Sequence, residues 1–456
     1  MLPVVMPAPR HPGPAPPHPS HHRNSHFPQQ IPATRPSTRY LSGMSLSNPW
    51  FWIALIATIG LWKLEMIATF LNMSALSPAI PRRLEGSVTE EEHERALEYA
   101  RISARFDVLQ SSILLAVFVL FWFLGGFGWV DREVRALGLG DLTSGLVLLS
   151  VLFVGQSLIG LPFEYYETFH IEAQFGFNKM TLRTFIMDRV KGLMLAAVLG
   201  LPLVALLLHL FATQPLAALY GWFAVTGFSL VMSFLSPRLI LPLFFKFQPL
   251  EDAGLKEAIM ELSRKLDFPV AEVSVVDGSK RSTKANAFFT GFGGTKRIAL
   301  FDTLLQNHSR EEILAVLAHE IGHCKRKHVP KQLALSMLVT GLMFALLHFA
   351  IQDPRVCAAF GVTQPSVAWG FALFGILFQP LSTLLGMLGS WLSRKFEFEA
   401  DAFARDAMDS PKPLADALTR LTKDHLGNPT PHPFYVTLHY SHPPVLQRLA
   451  ALEKGI

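Results

Sequence analysis

The residues best suited to chemistry are the run His319-Glu320-Ile321-Gly322-His323. On a helix, positions i and i+4 share a face, so His319 and His323 can present their imidazoles to one zinc ion. Glu320 follows the first of them directly, where it can take a proton from a water the metal activates. The setting is helical. EEILAVLAHEIGHCKRK carries apolar Ile313, Leu314, Val316 and Leu317 ahead of the motif, and Ser309 with Glu312 makes a capping box for a helix over 310–327. Gly322 keeps a large side chain from crowding the site. Cys324 lies off the ligand face and reads as a small packed residue.

A catalytic zinc takes three protein ligands and leaves the fourth position open. The metzincin spacing would need Gly at 326 and His at 329, where this chain has Arg326 and Val329. His328 is five residues past His323, about 140° round a continuous helix, and so points away from the metal. The third ligand must come from elsewhere, and the best carboxylates lie in SRKFEFEADAFARDA. Glu397 and Asp401 are four apart and share a helix face. Glu397 can complete the ligand set while Asp401 hydrogen-bonds a ligand histidine and fixes its tautomer. Glu399 falls on another face and reads as a bystander.

The elements that must position these residues belong to a membrane protein. Of 456 residues, 50% are hydrophobic and only 16% charged, well below the roughly 25% of soluble domains. This excludes a soluble multidomain enzyme and an acidic disordered chain, and two cysteines (Cys324, Cys357) cannot build a disulfide framework. The formal charge of +5 is read as loop charge of a membrane protein, with no nucleic-acid partner. Apolar blocks of about the length a helix needs to cross hydrocarbon stand at 49–72, 107–128, 143–163, 193–212, 217–243, 332–351 and 367–390. Pro162, Pro237 and Pro242 interrupt the third and fifth. Lys63 and Glu65 in the first block and His209 in the fourth line a cavity, pair, or snorkel.

The resulting organisation is a disordered Pro/His-rich tail (1–48), spans one to five (49–243), an α/β segment with the HEIGH helix (244–331), spans six and seven (332–390), and a C-terminal segment (391–456) with the third ligand. Within 244–331 the pattern predicts a helix over 251–266, a strand from Val270 to Val276, and a hairpin in NAFFTGFGGTKRIALFD turned by Gly291, Gly293 and Gly294. The stretches 82–105, 179–191 and 244–331 are rich in Lys and Arg, which orients them and the C-terminus towards the cytoplasm. Two crossings separate HEIGH from Glu397, so both emerge on one side of the bilayer.

HEIGH, the downstream FEFEADAFA and the C-terminal HYSHPP together resemble the type I CAAX prenyl proteases, and LPFEYYETFHIEAQFGFNKMT (161–181) and NAFFTGFGGTKRIALFDTLL (286–305) are similar to that family's segments. The resemblance implies a ring of seven helices enclosing a water-filled chamber, closed on its cytoplasmic side by a small α/β zinc-metalloprotease domain. It implies His319, His323 and Glu397 as ligands of one Zn²⁺, Glu320 as general base, and Asp401 as the family's ExxxD aspartate, a catalytic group behind a ligand histidine that is sometimes assigned as a proton donor. His442 and Arg448 would face the substrate and stabilise its oxyanion, and Asn286 would contact a peptide added as a strand. Glu399 stands where relatives often carry a neutral residue, and the tail before Pro49 lies outside the family pattern.

The expected protein is therefore a multi-pass zinc endopeptidase of a bacterial inner membrane or the endoplasmic reticulum membrane, embedded in the lipid bilayer. Its partner is a peptide or protein substrate, prenylated if the resemblance extends to specificity. The alternatives are a quality-control zinc protease with no lipid requirement and a seven-span transporter or receptor with a vestigial metal site.

Overall fold

Capping and apolar length set the order of the elements, which a computed structural model describes for residues 47–290 and 296–454. The tail through residue 46 and the turn glycines Gly291, Gly293 and Gly294 lie outside the described residues. Helices α1 (Pro49–Ser74) and α2 (Glu90–Phe123) are followed by the short amphipathic α3 (Gly126–Ala136), then α4 (Asp141–Gln174), α5 (Leu182–Thr213) and α6 (Ala217–Phe244). Strand β1 (Phe247–Pro249), helix α7 (Ala253–Lys265), strands β2 (Glu272–Val276), β3 (Ala287–Thr290) and β4 (Arg297–Phe301), and helix α8 (Arg310–Lys325) come next. Helices α9 (His328–Gln352) and α10 (Val367–Ala407) return through the membrane region, and α11 (Lys412–Asp424), α12 (Pro433–His439) and α13 (Val445–Lys454) end the chain.

Seven of these helices are long and apolar enough to cross a bilayer, the number expected. Their limits differ from the apolar blocks for physical reasons. A capping box between Thr89 and Glu92 starts α2 a full polar segment before its apolar part. The prolines do not end their helices. Wide π-turns at Glu167–Ile171, just after Pro162, and at Ser236–Ile240, which contains Pro237, take up the displaced backbone.

The spans pack loosely against one another and leave most of their apolar surface uncovered. At most 11% of each span's most apolar window is buried, where a packed bundle would bury its whole inner face. Neighbours run α2–α1–α10 and α10–α4–α5–α6–α9, with α9 returning to α10. Aromatics pack together where α2, α3 and the start of α10 meet. Trp122 stacks on Phe360 with ring centroids 4.6 Å apart, and Trp369 Nε1 donates to Asp131 Oδ1 at 2.7 Å. Such aromatic pairs contribute about 0.5–1.5 kcal/mol each.

The sheet order is β1-β2-β4-β3, with β2 and β4 parallel, β3 antiparallel to β4, and β1 antiparallel to β2. The expected hairpin is present as β3 and β4, in register Ala287↔Leu300 to Thr290↔Arg297. β1 was not anticipated, because three residues ending in Pro249 carry no alternation to read. Helix α8 buries Ile313, Leu317 and Ile321 in one core with Ile259 of α7, Ile298 of β4 and Leu414 of α11. That burial aims its histidine face at α10. The fit is close: a Cβ on Gly322 would lie 3.2 Å from Ala400 Cα and 3.1 Å from Phe403 Cβ of α10. Gly322 thus makes room for a helix backbone, a stronger demand than the open space expected of it.

Candidate active site

Two packed helices bring the metal-ligating types together. His319 and His323 from α8 face each other, Nε2 to Nε2, at 3.1 Å. Glu397 of α10 reaches both, with its Oε2 3.4 Å from His319 Nε2 and its Oε1 3.3 Å from His323 Nε2. Ligand atoms of the three lie within 4.8 Å of one another. Glu397 is buried, yet its Oε2 has no hydrogen-bond partner among the described residues. A buried carboxylate oxygen held only by long contacts, Arg448 Nη1 and His319 Nε2 both 3.4 Å away, is poorly satisfied, and a cation in the space between the two rings would satisfy it. Two imidazoles and a carboxylate are also the three protein ligands of a common catalytic donor set. The residues fit a metal ion.

Electrostatics support the same reading. Burial alone would lower the His319 pKa, but the Asp401 and Glu397 carboxylates facing its two nitrogens hold it at about 9. A divalent cation would take over that charge balance. Burial raises the Glu320 carboxyl above the usual range against the pull of the two histidines. A carboxylate moved towards neutrality is suited to accept a proton in catalysis.

Asp401 holds His319 from behind, Oδ1 to Nδ1 at 2.9 Å. Arg448 of α13 grips Asp401, with its Nε 2.8 Å from Oδ2, and its Nη1 lies 3.4 Å from Glu397 Oε2. All four of His319, Glu397, Asp401 and Arg448 are buried. His442 stands in the turn after α12, exposed, with its Nε2 3.3 Å from Glu397 Oε1. Arg394 of α10 ties that turn down by donating to the carbonyls of Val436 and Tyr440. Asn286 is not part of this cluster. It is exposed at the head of the edge strand β3, where its Oδ1 accepts from Ala287 N at 2.8 Å.

Two residues set aside in the sequence stand directly behind the site. His328 Nδ1 is 3.0 Å from His323 Nδ1, and His328 Nε2 is 3.1 Å from Glu399 Oε2. The angular reading of His328 assumed one helix through 327. In fact α8 stops at Lys325, Lys327 takes a left-handed conformation (φ 57°), and α9 begins at His328 on a new axis. Pro330 in the first turn of α9 was the available signal, since proline favours helix starts. Glu399 is no bystander: the face it occupies is the one His328 approaches. Among the polar residues of the spans, Glu65 pairs with His439 at 2.9 Å, whereas Lys63 and His209 are exposed.

The segment entering β3 is also held by charge. Arg281 forms a two-point bridge to Asp188, Lys284 pairs with Glu172 at 3.2 Å, and His425 Nε2 accepts from Ala285 N at 3.0 Å. Burial, with Lys284 nearby, pushes the His425 pKa from 6.5 down to about 4. The unfolded chain therefore binds more protons than the folded one between these values, and stability falls as pH drops from 6.5 towards 4, by up to about 3 kcal/mol. A His425→Gln variant is expected to flatten the loss of melting temperature between pH 7 and pH 5. An unchanged acid slope would place the effect elsewhere.

A histidine pair on one helix, a carboxylate from a second, and a buried arginine–aspartate pair beside them, in a chain with seven helices long and apolar enough to cross a bilayer, define a membrane-embedded metallopeptidase. The chain belongs to peptidase family M48, which matches residues 249–456, and the family described as the CAAX prenyl protease N-terminal domain with five membrane helices matches residues 69–246. It is similar to the CAAX prenyl protease 1 homolog of Oryza sativa subsp. japonica, 36% identical over 385 residues, covering 82% of this chain and 90% of that protein. CAAX prenyl protease 1 of Saccharomyces cerevisiae is 33% identical over 436 residues, covering 89% of this chain and 95% of that protein. Among solved structures, the crystal structure of S. mikatae Ste24p matches with a TM-score of 0.84 at 33% identity, over 89% of this chain and 99% of that one. The protein is a multi-pass membrane metalloendopeptidase, which selects the peptidase over the transporter or receptor reading.

Proposed function

We propose that the protein is a zinc endopeptidase that removes the C-terminal tripeptide following a prenylated cysteine in CAAX proteins or peptides. The observation that carries the chemistry is the convergence of His319, His323 and the Glu397 carboxylate, whose Oε2 makes no hydrogen bond among the described residues, in the motif that also holds Glu320. The names of the similar proteins support the substrate. His319, His323 and Glu397 would hold one zinc ion. Bound zinc would supply Lewis acidity and lower the pKa of water to about 7.

The chain's own residues do the rest. The peptide adds to the open edge of β3, where main-chain hydrogen bonds fix its register and Asn286 meets it. Glu320 takes the proton of the attacking water and passes it to the leaving amine. His442 and the Nη1 end of Arg448 are donors for the charge developing on the carbonyl oxygen, each contributing about 3 kcal/mol. Asp401 keeps the His319 ring in the tautomer that leaves Nε2 free. We place the catalytic side towards the cytoplasm of the endoplasmic reticulum membrane, on the charge of the loops. Residues 49–243 and 332–390 form the membrane part, and 244–331 with 391–456 the catalytic part.

The test is cleavage of a short CAAX peptide with and without a farnesyl group, by purified protein in detergent. Cleavage that requires the lipid and disappears in Glu320→Gln supports the proposal. Cleavage indifferent to the lipid, yet dependent on Glu320, replaces it with a general membrane-protein protease. Glu397→Ala is expected to reduce bound zinc well below one ion per chain, read by elemental analysis after dialysis. Full occupancy would remove Glu397 from the ligand set.

A further inference from the structure

We propose that His328 and Glu399 form a positioning relay behind His323, the counterpart of Asp401 behind His319; this rests on the zinc reading of the site. The two ligand histidines are backed differently. His319 Nδ1 meets a carboxylate directly, at 2.9 Å from Asp401 Oδ1. His323 Nδ1 meets a second imidazole, His328 Nδ1 at 3.0 Å, whose other nitrogen is 3.1 Å from Glu399 Oε2.

Proton bookkeeping along this row has one consistent solution. A histidine that ligates through Nε2 carries its proton on Nδ1. His323 Nδ1–H therefore donates, and His328 Nδ1 must accept. The His328 proton then lies on Nε2 and donates to the Glu399 carboxylate, which only accepts. Every donor has an acceptor and none is left over. Because His328 Nδ1 lies on the side of the His323 ring opposite the ligating nitrogen, it is no fourth ligand for the same ion.

The relay is also rigid. His328 is 1% exposed, and its ring stacks on Phe396 with centroids 4.2 Å apart and planes 5° from parallel. Lys331 Nζ stands 5.2 Å from the centre of the Phe396 ring. Glu399 lies on α10 between Glu397 and Asp401, so one helix provides a ligand and the acids behind both histidines. Groups that orient ligand histidines are worth about 10- to 100-fold in metal affinity.

The experiment measures zinc affinity by chelator competition at fixed pH, for wild type, His328→Phe, His328→Asn and Glu399→Ala in detergent, together with the melting temperature of each zinc-free form. His328→Phe keeps a ring against Phe396 and removes the acceptor; His328→Asn places an amide oxygen near the position of Nδ1. The expected result is affinity about 10- to 100-fold weaker for His328→Phe, within a few-fold of wild type for His328→Asn, and intermediate for Glu399→Ala, with zinc-free melting temperatures unchanged. Zinc binding by His328→Phe within twofold of wild type overturns the relay. Equal weakening of all three variants together with lower zinc-free melting temperatures also overturns it, in favour of packing alone. If wild type itself holds no zinc, the metal-site reading fails first and the relay with it.

Discussion

Glu320→Gln is expected to keep a full metal complement and to lower peptide turnover by about 10²- to 10⁴-fold. The two outcomes separate because the substitution preserves the shape of the side chain and removes only its basicity. Glu320 is not one of the three residues whose ligand atoms converge, so the ion's donors survive. Burial has already moved its carboxyl towards the neutral form, and the histidines on either side of it in the motif keep it ionisable. Metal analysis and a peptide cleavage assay on the same preparation read both quantities. Turnover within tenfold of wild type would move the base role to another group, with Asp401 unsuited because Arg448 holds both its oxygens.

Arg448→Leu is expected to be the most damaging single change to stability. Arg448 and Asp401 are both buried and joined by two hydrogen bonds, so removing the guanidinium leaves an ionised carboxylate in a low-dielectric setting. Breaking such a pair costs about 3–5 kcal/mol, whereas removing both partners costs far less. Asp401→Asn in the Arg448→Leu background should therefore recover a large part of the lost melting temperature. A double-mutant cycle built from these variants reads the coupling. A coupling under about 1 kcal/mol would mean that the two side chains are held independently. Turnover should not recover in the double variant, since Arg448 would also be missing as a donor to the substrate.

What was legible in the sequence was whatever depends on a short period. The apolar blocks gave the seven spans, the i,i+4 pairs put His319 with His323 and Glu397 with Asp401, and the Ser309–Glu312 box located the start of α8. What was hidden depends on where the axis changes direction. Nothing in the run Cys324 to Lys327 announces a break, because a lysine takes up the left-handed turn that glycine usually makes. With α8 drawn two residues too long and continued straight on, His328 seemed to face away and Glu399 lost its partner. His442 and Arg448 came only from resemblance, since no local pattern places a distant loop and helix beside a carboxylate on α10. The π-turns after Pro162 and at Pro237 were hidden for a related reason: a proline marks disturbed backbone without saying whether the helix ends or widens.

Helix α10 runs unbroken for 41 residues, about 60 Å, roughly twice the thickness of the hydrocarbon it crosses. Glu397 and Asp401 ride near its far end, past Pro380, so the seventh span and one of the three proposed metal ligands are carried on one helix. A few degrees of tilt about the opposite end carries Glu397 several ångströms, whereas a metal centre tolerates about 0.5 Å. Span tilt responds to bilayer thickness, and the contact of Ala400 and Phe403 with Gly322 is what resists that response at the site. Whatever tilts this helix in the bilayer therefore acts on the position of Glu397, and the close packing of Gly322 against α10 limits how far it can move.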